Sequence, residues 1–435
     1  KDIDEAINSG GLTEDISTYR VNKWAALALK ARFCLFEGTY RKYHGINLEG
    51  HDYTYYLEEA AKAAKTIIDE GPYKLYSTKT PDKDYMMLFA QENASTEEYI
   101  LAIRNSYEAQ VYHNATAYTL LPTQGRPGYT RKFINMYLKK DGTAFTDQEG
   151  WQTLPFTEEV KDRDPRLAQS IRTPGYKRIG AKRVQGPDLG VTITGYQPIK
   201  FVQDTTASGG QIDRNDRSTC DMPVFRYAEV LLNYAEAKAE LGTLTQDDLN
   251  ITVNEIRSRV GMRGLDKDEA NKNIDWYLSS EEYGYPNVKE LNGLNEGVIL
   301  EIRRERAVEL IQEGFRLQDL YRWKAGYCID QAISGMYFPG PGEYKLAGKE
   351  TADLILYAAG STKPQGGEGV SVYELGSDII LSEGNKGYVY YHKTVENQRP
   401  GFNEERDYLY PIPSGERSLN PNLTQNPGWS DGLDF

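Results

Sequence analysis

Apolar residues in this chain recur at helical spacing in three blocks. Over residues 21–40 (VNKWAALALKARFCLFEGTY), Trp24, Leu27, Ala28, Ala31 and Leu35 fall three and four apart, which is one face of a helix. Residues 55–70 (YYLEEAAKAAKTIIDE) predict a second helix, whose small Ala residues permit close approach and which Gly71-Pro72 stops. The two together look like one tetratricopeptide-type helical pair. Downstream, residues 223–242 (PVFRYAEVLLNYAEAKAELG) carry an apolar stripe through Val230, Tyr234, Ala237 and Leu241. Pro at the start and Gly at the end fit a helix opening at Pro223. Residues 245–260 predict its partner, N-capped by Thr245 with Asp247 and Asp248 in the first turn. Residues 295–323 continue the pattern, with Gly314 expected to break them into two helices.

Between these blocks the pattern changes. Residues 73–222 and 327–435 hold many Gly, Pro, Thr and Tyr and only short apolar or alternating runs, such as Tyr388-Val389-Tyr390-Tyr391. They read as loops and short strands decorating a helical frame. The proline-punctuated stretch 410–429 reads as an extended strap. The expected architecture is mainly α. It has a tetratricopeptide-like helical frame at 20–72 and 223–326, a ligand-side region at 73–222 and a short-stranded region with a strap at 327–435.

Composition narrows the function. The 435 residues carry 51 Lys and Arg against 64 Asp and Glu, a net charge of −13. That balance argues against a nucleic-acid partner and against adhesion to an anionic leaflet, both of which need clustered cations. No run approaches the ~18 apolar residues of a membrane span. Tyr is abundant, 33 residues against 12 Phe and 5 Trp. A Tyr-rich surface suits partners that are half apolar and half polar, such as sugars and peptides.

Catalytic and metal signatures are missing from the sequence. Cys34, Cys220 and Cys328 form no CxxC, and His44, His51, His113 and His392 show no metal-ligand spacing. There is no GxSxG elbow and no phosphate loop. Asp266-Lys267-Asp268 opens like a calcium loop, but Asn271 and Tyr277 occupy the positions that need Gly and Glu. A carboxylate pair distant in sequence, as in a glycoside hydrolase, leaves no local signature. In the 301–313 segment, Glu301 with Arg304 and Arg306 with Glu309 read as i,i+3 pairs. Each is worth only a few tenths of a kcal/mol if exposed.

At this point the chain resembles the SusD/RagB family. The resemblance rests on AALALKAR (25–32), DPRL (164–167), RYAEVLLNYAEA (226–237), NEIRSRVG (254–261), EIRRERAVELIQEGFRLQDLYRW (301–323) and YPIPSGERSLNPNLTQNPGW (410–429), in family order. It implies a surface lipoprotein of the outer membrane that captures oligosaccharides, or peptides in some branches. It implies a SusC-like TonB-dependent transporter as partner, no enzyme activity and no cofactor. Family members carry a lipidated Cys and further helices ahead of the segment resembling 25–32. A membrane anchor and part of the binding surface are therefore expected outside this chain. A secreted glycoside hydrolase and an intracellular scaffold are the competing classes. Incubation with polysaccharide separates the first, and the long Tyr- and Gly-rich insertions speak against the second.

The motifs themselves read as structural. The candidate ligand platform lies in the insertion 264–295, with Trp276, Tyr277, Tyr283 and Tyr285 near Asp275 and Asn287. Trp151, beside Gln152 in a Gly-bounded loop, is the second candidate, and residues 388–391 the fallback. The competing reading is that Trp276 anchors the insertion to the frame, since large aromatics are more often core than ligand contacts.

Overall fold

In the computed structural model, which describes residues 1–390 and 401–433, helices Lys23–His44 and Tyr53–Glu70 pack as an antiparallel pair. Asn22 and Asp52 cap them, each side chain accepting a backbone N–H three residues on. The facing residues Ala31, Leu35, Leu57, Ala60 and Ala64 are buried. Helix Tyr227–Glu240 lies across both. It begins at Tyr227 rather than at Pro223. Residues Met222–Arg226 instead form a strand antiparallel to Tyr99–Ile103. The β-branched Val224 and the aromatic Phe225 favour extended backbone, and Pro223 is tolerated in a two-stranded edge ladder.

The predicted partner helix is two helices, Gln246–Asn250 and Val253–Arg259. Thr245 and Asp248 complete a reciprocal capping box at its start. The break falls at Ile251-Thr252, where the Thr252 hydroxyl donates to the Asp248 carbonyl 2.5 Å away and competes with helical bonding. Gly314 separates Glu296–Glu309 from Arg316–Arg322, with φ of +86° in the left-handed region. The remaining strands pair as Ser334–Phe338 with Gly387–Tyr390, and as a mixed three-stranded sheet of Gly342–Tyr344, Leu354–Tyr357 and Ser371–Glu374. The strap is not wholly extended, because residues Ser414–Leu419 form a helix. The insertion is helical too. Its Lys267–Lys272 helix packs on Glu296–Glu309, where a Cβ on Gly297 would collide with the Ala270 carbonyl.

Helix Glu296–Glu309 is the centre of the molecule. Every residue in it except Glu301 is buried, so its charges are not a solvent-facing ladder. Glu301 and Arg304 do pair, at 3.2 Å, but the expected Arg306–Glu309 pair does not form. Arg306 faces Asp319 at 2.9 Å and donates to the Asn233 side chain at 2.8 Å. Glu309 accepts from Arg226 at 2.8 Å, Arg259 at 2.7 Å and Arg166 at 3.1 Å. Glu305 joins Arg166 at 2.5 Å and Arg257 at 2.8 Å. Glu313 joins Arg226 at 2.7 Å and Lys200 at 2.6 Å. Glu236 accepts from Arg322 at 2.5 Å and from the Trp323 indole at 2.7 Å. The exposed-pair magnitude therefore does not apply. Removing one member of a buried ion pair costs about 3–5 kcal/mol, since the other charge is left uncompensated.

The titration of these groups follows. Burial alone would raise the pKa of Glu236, Glu305, Glu309, Glu313 and Asp319, but the facing cations outweigh it and hold all five below their ordinary values. Glu98 runs the other way, raised by burial against the pull of Arg259 and Arg226.

Two outcomes are expected. Glu309→Gln should destabilise the protein by about 3–5 kcal/mol in denaturant titration, with affinity per folded molecule unchanged. A carboxylate whose pKa is lowered by folding contributes stability above its unfolded pKa and loses it as the pH falls. Scanning calorimetry should therefore show the melting temperature dropping progressively below the ordinary glutamate value of 4.5, with Glu98 offsetting only part of the loss. A melting temperature flat from about pH 7 to about pH 3 would contradict this account.

Candidate functional site

The insertion brings an aromatic cluster to the rim of the frame. Asp275 starts the short helix Trp276–Ser279, its carboxylate accepting the backbone N–H groups of Tyr277 at 2.8 Å and Leu278 at 3.0 Å. Its other oxygen pairs with Arg304, so the turn carrying Trp276 is tied to the central helix. Arg304 also donates to the Met136 carbonyl at 2.9 Å. Asp275 is thus an anchor of this turn, and it also lines the cleft beside Trp276.

The four rings of Trp151, Trp276, Tyr277 and Tyr283 contact one another, with Tyr277 and Tyr283 stacked at 4.5 Å. They divide by exposure. Trp276 is 44% exposed, whereas Tyr277 is 1% and Trp151 is 6% exposed. Tyr277 and Trp151 belong to the main hydrophobic core, with Leu278 and Val288. The Tyr277 hydroxyl is engaged with the Asn135 amide at 3.2 Å. Burial pushes its pKa well above the ordinary tyrosine value. Arg131 fixes the Trp151 turn by donating to the carbonyls of Trp151 and Gln152 at 2.9 and 3.0 Å. Tyr283 is half-buried, its pKa pushed up to about 12, chiefly by burial and then by Glu282.

Tyr285 lies elsewhere. It is 1% exposed and packs edge-on to Trp323 at 5.7 Å, beside Arg303. Asn287 donates to the Trp323 carbonyl at 2.7 Å, so it does not reach the Trp276 ring. The fallback segment is a half-buried strand. Tyr388 sits under the Arg131 guanidinium at 4.8 Å and against Tyr337 at 5.8 Å, while Tyr391 and His392 lie outside the described residues.

The exposed face of Trp276 lines a cleft of about 340 Å³. Its indole N–H donates to Asp147 at 3.2 Å. Arg263, paired with Glu269 at 2.6 Å, and Asn273 stand on the same walls. A flat apolar ring bordered by carboxylates, a guanidinium and an amide can stack a hydrophobic face while bonding hydroxyl or amide groups around it. Sequence reasoning missed Asp147, Arg263, Glu269 and Asn273. Three of these lie within or beside the insertion already singled out. Asp147 has no local signal, because it reaches the site through the fold of a loop 129 positions from Trp276. Among the described residues, no group of three or more His, Cys, Asp or Glu could hold a metal ion. No described helix is long and apolar enough to cross a membrane.

A sequence profile of the SusD family matches residues 87–429. The chain belongs to the SusD family. Solved structures of this family share its fold. A SusD-like protein from Bacteroides fragilis is 20% identical with a TM-score of 0.59, over 98% of this chain and 70% of its own. A SusD-like carbohydrate binding protein from the same species is 22% identical with a TM-score of 0.60, over 97% and 69%. A SusD superfamily protein from Parabacteroides distasonis is 22% identical with a TM-score of 0.51, over 98% and 67%. No curated protein shows significant similarity to the chain. Within this SusD-family chain, the motif residues Arg166, Arg226, Arg257, Arg259, Glu305 and Glu309 are one buried cluster, and of these six only Arg257 lines the Trp276 cleft.

The division by exposure has a direct consequence. Trp151→Ala should cost about 3–5 kcal/mol of stability, as for a large aromatic removed from a core. Trp276→Ala should shift the melting temperature far less. Equal losses in the two variants, measured by thermal unfolding, would show that Trp276 is part of the core.

Proposed function

We propose that this protein captures oligosaccharides, without catalysis, at the Trp276 cleft. On this reading it is the surface binding subunit of an outer-membrane uptake system, lipid-anchored and paired with a SusC-like TonB-dependent transporter. The observation that carries the reading is the exposed Trp276 ring above a cleft bordered by Asp147, Arg263, Glu269 and Asn273. Pyranose rings present C–H faces to an aromatic plane and hydroxyls at their edges, and this arrangement matches both. Membership of the SusD family supports the reading, as does the description of one fold relative as a carbohydrate binding protein. In this scheme Trp276 stacks the sugar, Tyr283 extends the platform, and Trp151 and Tyr277 hold the platform in place from behind.

Glycan and peptide arrays identify the ligand class, and calorimetry with the best glycan tests the site. Trp276→Ala should weaken binding by about 2 kcal/mol, roughly 30-fold, as a stacking hot spot does. Reducing-end assays on the same glycan should show no release. Unchanged affinity in Trp276→Ala moves the site elsewhere. Binding to peptides alone replaces the ligand class, and turnover abolished by a single carboxylate substitution would make the protein a hydrolase.

A further inference from the structure

On the opposite side of the central helix lies a second cavity, of about 590 Å³, which shares no lining residue with the Trp276 cleft. That size falls within the ordinary range for small-molecule sites. Its walls are largely apolar, with Tyr129, Phe133, Met136, Leu310, Ile311 and Phe315 prominent. It opens to solvent at Gln312, Gly314 and Leu317, which line it and are exposed.

The charge inside it is unbalanced. Three cations, Lys132, Arg306 and Arg316, line the cavity with one carboxylate, Asp319. That carboxylate is already committed, to Arg306 at 2.9 Å and to Arg322 at 2.9 Å. The Lys132 ammonium has only neutral partners among the described residues, the Gln331 side-chain oxygen at 2.6 Å and the Cys328 sulfur at 3.5 Å. Arg316 donates to the Tyr285 hydroxyl from one nitrogen, while its Nη1 is buried with no hydrogen-bond partner. Burial lowers the Lys132 pKa, and the Arg316 charge lowers it further, so the two cations feel each other. Against the pull of burial, Tyr285 and Asp319 hold the Arg316 pKa above its ordinary value, so Arg316 is compensated in part. Lys132 faces no carboxylate among the described residues, and a buried ammonium beside a second cation is unfavourable unless an anion joins them.

We propose that this cavity binds a small organic acid, its carboxylate between Lys132 and Arg316 and its apolar body against Phe133, Leu310 and Phe315. The site is independent of the Trp276 cleft and does not need a sugar.

The test compares 4-phenylbutanoate and decanoate with their neutral amides by calorimetry on the full chain. At least one acid should bind saturably, and at least tenfold tighter than its amide. Lys132→Met keeps the apolar volume and should reduce that acid to the level of its amide. Because it removes an uncompensated cation, it should melt no lower than the parent, an outcome that a purely structural role for Lys132 would not give. Leu317→Trp, at the exposed mouth, should block acid and amide alike. The proposal is overturned if neither acid binds at millimolar concentration, if acid and amide bind equally, or if Lys132→Met binds the acid as the parent does. Should Lys132→Met fold poorly, the acid-to-amide ratio in the parent and the effect of Leu317→Trp decide the question.

Discussion

The buried carboxylates Glu305 and Glu309 of the central helix, each shared between guanidinium groups, are the interaction on which the rest of the structure depends. Glu305 and Glu309 alone draw in Arg166, Arg226, Arg257 and Arg259. These come from the short helix Pro165–Ala168, the end of a strand and a separate helix. Each of these ions would be costly to bury alone, since desolvation is repaid only by close and multiply bonded partners. The network therefore constrains the fold in an all-or-none way. A segment that docks out of register leaves a buried charge unpaired, whereas an apolar contact would merely weaken. Arg303 shows the same economy without a close partner, lying among the rings of Tyr43, Tyr285 and Trp323 at 4.8, 5.2 and 4.3 Å, with Glu240 at 3.6 Å.

The same helix positions the candidate binding surfaces on both of its sides. Through Arg304 and Asp275 it fixes the turn that presents Trp276, and through Arg306, Ala307 and Leu310 it forms a wall of the second cavity. A ligand platform needs rings that do not lose orientation when a ligand arrives. Here the exposed Trp276 rests on Tyr277, Tyr283 and Trp151, two of them core residues. The aromatic content of the insertion thus divides into buried support and one exposed ring. The insertion is a folded part of the frame and not a loose appendage.

The helical frame was legible in the sequence because its apolar spacing is local. The blocks at 21–40 and 55–70 correspond to helices Lys23–His44 and Tyr53–Glu70, and Gly314 separates two helices as its position implied. Boundaries set by competition were less legible. Val224 and Phe225 fit the helical pattern, yet they pair with the Tyr99–Ile103 strand, and nothing local announces that partner. The two-helix break at Thr252 depends on a side-chain bond that periodicity does not encode.

The sequence by itself determined the helical content and the family. Both follow from residue order and from motifs read along one segment. Only the tertiary structure decided which rings face solvent and which charges are paired. Trp276 and Tyr277 are adjacent in sequence but 44% and 1% exposed, and Arg306 passes over Glu309 for Asp319 on the next helix. Exposure and pairing depend on what other segments bring to the same place. Asp147 reaches Trp276 from a distant 3-10 turn, and Arg166 reaches Glu309 from the short helix Pro165–Ala168. A local pattern carries no information about such partners, because burial and Coulomb energy are set by distance in space and not along the chain.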